Sequence, residues 1–204
     1  MSEPLAIGYF LEDIAHERLL TSLVERMAER LGLAVLHDVR NASGGRGLVM
    51  TELRQYLLDV RAGRLATPQV LVVAIDGNCT SYQGRRREIE QVRDRARYQG
   101  TLVCAVPDPH IERWYLADPE ALRAAVAGGQ PPSLPQRKCE RDLYKRALRQ
   151  AFGGAGITPQ LGGAEYAQDI VTQMDLSRAA QADRSLGHFL SDLRSALMSF
   201  APHR

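Results

Sequence analysis

Short apolar runs alternate along the chain with longer amphipathic stretches. The most informative run is 70–78, Val-Leu-Val-Val-Ala-Ile-Asp-Gly-Asn, where six apolar residues lead straight into an acid, a glycine and an amide. A run this short and unbroken predicts a strand buried on both faces, as in a parallel sheet covered by helices. Residues 5–11, 33–39 and 101–106 read as three further strands. Between the strands, Leu20, Leu23, Val24, Met27 and Leu31 fall at helical spacing and stop at Gly32, a residue suited to a helix C-terminus. Val49, Leu53, Tyr56, Leu57 and Val60 mark a second helix, and Ile89, Val92 and Ala96 the narrow apolar side of a third over 82–99. This alternation predicts an α/β fold, with a central, mostly parallel four-stranded sheet flanked by helices.

The pattern changes beyond the fourth strand. In Pro107-Asp108-Pro109, Asp108 suits a helix N-cap and Pro109 a first helical position, which predicts a helix from about His110 that carries Ile111 to Asp118. Trp114, the only tryptophan, reads as a packing residue on that helix rather than a platform for a nucleobase. Residues 127–135 are rich in glycine and proline and read as a linker. The expected division is an α/β core over 1–127 and a helical C-terminal extension over 128–204, packed on the core. Within the extension, a basic segment from Arg137 opens a helix that reaches Phe152, and a glycine-rich break spans 153–163. Helices over 165–174 and 186–200, with a short turn from Leu176, complete the chain.

Composition narrows the function classes. The chain has 204 residues, 45% of them apolar and 25% charged, which suits an ordinary globular protein. The net charge of +2 is too small for a global field, so contact with nucleic acid must come from local patches. Cys79, Cys104 and Cys139 form no CxxC pair, which argues against a zinc knuckle or a disulfide framework and for a reducing, cytoplasmic setting. The opening Met1-Ser2-Glu3-Pro4 does not read as a signal peptide, and no apolar stretch approaches the ~20 residues that span a bilayer.

The candidate chemistry lies where the strands end. Glu12-Asp13, Asp38, Asp76, and Asp108 with Glu112 all stand at or near the ends of predicted strands. Open α/β sheets bind their ligands at the carboxyl edge. Carboxylates gathered there repel one another unless a cation lies between them. Oxygen donors without a His or Cys cluster suit Mg²⁺ or Mn²⁺, and such a centre can orient a phosphodiester and generate a hydroxide nucleophile. Plainer readings stand beside this one. Asp76-Gly77-Asn78 is also good turn chemistry, and Glu112 in a first helical turn is favoured by the helix dipole. Arg86, Arg93 and Arg97 share a side of the third helix, with Arg85, Arg87 and Arg95 around them. Their guanidinium groups suit phosphate, although Glu88, Glu90 and Asp94 equally suggest a solvated, ion-paired face. Lys138 in the basic segment is a further candidate phosphate contact. The loop 41–47, Asn-Ala-Ser-Gly-Gly-Arg-Gly, reads as a connection; it lacks the lysine and spacing of a Walker loop.

Two features carry a family resemblance. Glu12 closes the first strand and Glu17 follows on the next helix, in Leu11-Glu12-Asp13-Ile14-Ala15-His16-Glu17. A later hydrophobic strand ends in Asp76-Gly77-Asn78, similar to an Asp-x-Asp motif. Together they resemble the TOPRIM fold of topoisomerases, primases and overcoming-lysogenisation-defect nucleases. The segment 106–118, with its Ile-Glu-x-Trp-x-Leu-Ala-Asp stretch, resembles small stand-alone TOPRIM-like proteins linked to phage defence and paired with an ATPase. The chain departs from the pattern at Asp13, where glycine usually follows the glutamate, and at Asn78, where a second acid usually stands. The resemblance implies a nuclease or related phosphoryl-transfer protein that uses Mg²⁺ or Mn²⁺. Glu12 would act as general acid or base and Asp76 as metal ligand, with Asn78 and Glu112 completing the shell. It equally implies a rival role, a catalytically weak binding subunit of an ATPase-containing defence complex, acting as a homodimer or with its partner. A third reading, a flavodoxin-like nucleotide binder that uses the 44–47 loop, has no recognisable fingerprint behind it.

Overall fold

A computed structural model of the chain describes residues 3–44, 47–78, 80–126, 140 and 142–201. Four strands form one sheet in the order β2-β1-β3-β4: β1 Leu5–Leu11, β2 Val35–Asn41, β3 Val70–Ala74 and β4 Thr101–Ala105. Every pairing is parallel, with Leu11 opposite both Asn41 and Ala74, and Ala74 opposite Ala105. β3 is buried at every position because helices cover both of its faces. β2 alternates between half-buried and exposed residues, as an edge strand does.

The side-chain alternation of the strands divides the interior in two. Ile7, Tyr9, Leu11, Val70, Val72, Ala74 and Val103 face one cluster, which α1 (Ile14–Arg30) fills with Leu19, Leu20, Leu23 and Val24. Phe10, Leu71, Val73, Ile75 and Cys104 face the other, covered by α2 (Val49–Arg61) and α3 (Tyr82–Ala96). The predicted α/β architecture is the one observed. The C-terminal helices are α6 Leu143–Gly154, α7 Ala167–Gln173, α8 Leu176–Ala182 and α9 Arg184–Met198, with a single 3-10 turn at Ala164–Tyr166. Their buried residues, among them Tyr144, Phe152, Ile170, Phe189 and Leu193, belong to the same cluster as β1, β3 and α1. The linker expected at 127–135 lies outside the described residues. Among the described residues, no helix is long and apolar enough to cross a membrane.

The largest departure from the expected elements is after β4. No single helix spans His110 to Asp118. Instead α4 is one turn, Glu112–Tyr115, and α5, Pro119–Ala125, begins afresh with Asp118 as its N-cap. The backbone of 107–109 is committed elsewhere. The carbonyls of Pro107 and Pro109 accept from the Gly77 and Asn78 N–H groups at 2.7 and 2.8 Å, extending the contact between the ends of β3 and β4. The Asp108 N–H donates to Ser185 Oγ at 3.1 Å, and the Asp108–Pro109 bond is cis. A Cβ on Gly77 would lie 3.0 Å from the Pro107 carbonyl oxygen, a tight approach that a glycine avoids. Trp114 is buried, as expected. It stacks on Phe189 at 5.4 Å, and its indole N–H donates to Ser185 Oγ at 2.8 Å.

Candidate functional site

The strand order reverses direction between β1 and β3: the chain leaves β1 for β2 on one side and later returns to β3 on the other. Their carboxyl ends lie side by side at this switch point, where open sheets place ligands. Glu12 and Asp76 follow directly. The Glu12 N–H donates to the Ala74 carbonyl at 3.1 Å, and Glu12 Oε2 accepts the Asp76 N–H at 3.0 Å. Two acids predicted from separate strands therefore meet.

Between them sits a residue the sequence reading passed over. His16 is fully buried in the first turn of α1. Its Nδ1 lies 2.8 Å from Asp13 Oδ1 and its Nε2 3.1 Å from Asp76 Oδ1. Asp13, the departure from the TOPRIM pattern, is the N-cap of α1; it accepts from the Ala15 and His16 N–H groups and fixes the imidazole at once. A second histidine, His110, places Nδ1 3.0 Å from Asp76 Oδ2, and the Ile111 N–H donates to Asp76 Oδ1 at 3.0 Å. The expected oxygen-only acidic edge is thus corrected to a mixed one of carboxylates and imidazoles. The signal was present in the i, i+3 spacing of Asp13 and His16, which puts both on one side of a helix start. What the sequence alone did not give was the third partner, 60 residues away.

Electrostatics follow the geometry. Burial works against a charge on His16, but the Asp76 carboxylate and the hydrogen bonds with Asp13 and Asp76 outweigh it and push the imidazole up to about 10. Burial likewise works against a charge on Asp76, yet the facing imidazoles of His16 and His110 hold its carboxyl well below the usual range.

Glu112 takes a different place. It is buried in α4 and lines a cavity of about 440 Å³ together with Asp13, Tyr115 and Lys145. Its Oε1 lies 3.7 Å from Lys145 Nζ, and its Oε2 is buried without a hydrogen-bond partner. Burial, with the nearby negative charge of Asp76, raises its pKa above the ordinary glutamate value.

The other predicted residues lie apart from this group. Asn78 sits beyond Asp76 with a positive φ of 49°, and its side-chain nitrogen donates to the Asp76 carbonyl at 3.2 Å. Asp38 pairs with Gly8 in the middle of β2 rather than at its end, and is exposed, so it does not join the edge. Glu17 accepts from Asn41 Nδ2 at 2.6 Å. Arg86 is held by Glu90 at 2.9 Å and Asp192 at 2.8 Å, and Arg93 by Asp94 at 2.8 Å. In the glycine-rich loop, the Ser43 and Gly44 N–H groups donate to the Glu52 carboxylate at 2.8 and 2.6 Å, so these amides are taken; Gly45 and Arg46 lie outside the described residues. Lys138 also lies outside them.

One ligand atom each from Glu12, His16 and Asp76 lie within 4.8 Å of one another. This donor set fits a divalent cation in spacing and chemistry. Two carboxylates suit Mg²⁺ or Mn²⁺, and the imidazole tilts the choice toward Mn²⁺ or a softer metal. His16 can serve as a ligand only in its neutral form, with Asp13 holding the other ring nitrogen.

Residues 11–194 match the family described as a domain of unknown function, DUF4276. The match spans most of the chain, which therefore belongs to that family. No curated protein and no solved structure matches it.

Proposed function

We propose that Glu12, His16 and Asp76 hold a divalent cation, Mn²⁺ or Mg²⁺, and that the protein is a TOPRIM-like phosphoryl-transfer enzyme that hydrolyses phosphodiester bonds of nucleic acid. The observation that carries this reading is the meeting of these three side chains at the topological switch point of a parallel sheet. A bound cation at such a centre supplies stabilisation of phosphoryl charge and a nucleophilic hydroxide near neutral pH. The chain's own groups do the rest. Asp13 and the Ile111 N–H fix the orientation of His16 and Asp76. In this reading Glu12, half-buried at the edge, serves as a ligand, held in place by the Asp76 N–H. The widely spaced cysteines, with Cys104 buried as a free thiol, support a cytoplasmic setting.

The test pairs binding with activity. Calorimetric titration with MnCl₂ should show one site in the parent chain, weakened tenfold or more in Asp76→Asn and Glu12→Gln. Single- and double-stranded DNA and RNA should be cut with Mn²⁺ by the parent and not by either variant. Absence of both metal binding and cleavage in the parent contradicts the proposal.

One observation favours a second reading. Both Asp76 oxygens already accept hydrogen bonds, from His16, His110 and the Ile111 N–H. A carboxylate so engaged suits a catalytically weak TOPRIM-like subunit that docks on the ATPase of a phage-defence complex. Under this reading, cleavage appears only when the protein is purified together with a partner ATPase, or not at all.

A further inference from the structure

The cavity beside the acidic edge has a basic wall that the reading above leaves unused. Lys145 and Arg149 stand one turn apart on α6, so both project from the same face of the helix. Both line the cavity, as do Asp13 and Glu112. α6 is anchored by the rest of its surface: Tyr144, Ala147, Leu148, Ala151 and Phe152 are buried. The two cations are therefore carried on a packed element rather than on a loose arm.

Their pairing is incomplete. Lys145 reaches Glu112 Oε1 only at 3.7 Å and is half exposed. The Arg149 Nε donates to the Lys145 carbonyl at 3.4 Å, and among the described residues its guanidinium meets no carboxylate. The neighbouring Arg146 differs, since Glu140 holds it at 2.6 Å. In the same lining, Glu112 keeps a buried carboxylate oxygen without a partner, a costly arrangement for a group that serves only the fold. A guanidinium and an ammonium one turn apart, in a cavity whose lining includes Asp13 beside His16, offer charge-assisted donors to a phosphate group next to that edge.

We infer that Lys145 and Arg149 form a phosphate subsite that seats a backbone phosphate of an oligonucleotide next to the Glu12–Asp76 edge. This rests on the phosphodiester reading above, and it names the residues that would position the substrate. Lys145 and Arg149 are positioning residues, which act on the substrate phosphate and not on the reacting atoms.

The test separates positioning from chemistry by removing metal. Fluorescence anisotropy in EDTA would follow labelled single-stranded DNA and RNA of twelve nucleotides binding to the parent, to Lys145→Ala/Arg149→Ala and to Arg146→Ala, with thermal melting as the check on folding. The double variant should bind about tenfold more weakly or worse. Its slope of log affinity against log salt should fall by about 0.7, the loss of one phosphate contact on a single strand. Arg146→Ala should match the parent. Glu112→Gln should bind more tightly than the parent, because Lys145 is released and a like charge is removed. If a folded double variant keeps parental affinity and salt slope, or if the parent binds no oligonucleotide in EDTA, the subsite is wrong. Cleavage by the parent would in either case leave the metal-centre reading standing. Conversely, loss of binding in the double variant with no cleavage by the parent under any metal supports the subsite and removes the enzyme.

Discussion

His16 is the residue on which the local physics is sharpest. It is fully buried, and each ring nitrogen faces a carboxylate oxygen, so in the metal-free protein it holds a proton that burial alone would remove. Its folded pKa of about 10 lies above the ~6.5 of an unfolded histidine. The stability it contributes is therefore complete below about pH 6.5 and is lost as pH rises through its folded value. Chelated protein should lose melting temperature steadily between pH 7 and 10, and His16→Asn should flatten that slope while lowering stability at pH 7. An unchanged slope in the variant would mean that the imidazole is neutral in the fold. The same group explains part of what the sequence hid. Glu12 and Asp76 were legible because each ends an apolar run. His16 and His110 were not, because a histidine on a helix or after a proline carries no pattern of its own; only the fold shows that both face Asp76.

The elements themselves were largely legible. The four strands follow short apolar runs, and the first three helices an apolar period of 3.6, that nothing in the tertiary structure overrides. The segment 108–118 misled because Asp108 and Pro109 have the composition of a helix start, while the carbonyls of Pro107 and Pro109 bind the backbone after β3. The helix signal that does operate is Asp118. Fully buried, it accepts from the Glu120 and Ala121 N–H groups at the head of α5, from the Asp175 N–H at the head of α8, and from the Arg178 guanidinium at 2.8 and 3.0 Å. It caps one helix and ties it to another. Asp118→Ala should destabilise the protein by about 3 kcal/mol, since it leaves N–H groups at the heads of two helices without their acceptor and removes the buried partner of Arg178, which keeps only Glu120. Burial works against its charge, but Arg178 and the backbone donors hold its carboxyl below the ordinary value. The stability it gives is thus present above about pH 4 and lost as pH falls through the depressed folded value. Chemical denaturation of parent and variant at pH 7 and pH 3 checks both: the gap should be wide at pH 7 and narrower at pH 3.

At the scale of the whole molecule, the sheet order and the helical C-terminal half act together. The order β2-β1-β3-β4 puts the ends of β1 and β3 side by side and so makes the acidic edge. The later helices close over it: α6 supplies the wall that carries Lys145 and Arg149, and α9 supplies Ser185, which binds both Trp114 and the Asp108 backbone. Ser185 Oγ in turn donates to Asp183 at 2.6 Å, and Asp183 pairs with Arg113. Residues from both halves of the chain thereby hold the loop that presents His110 and Glu112. The cation proposed at this edge can be located by anomalous diffraction from crystals soaked in MnCl₂. One strong peak should appear within bonding distance of Glu12 and Asp76 oxygens, with His16 Nε2 turned from hydrogen bond to ligand. An edge that stays free of metal, with Asp76 still bridged by His16 and His110, would contradict it.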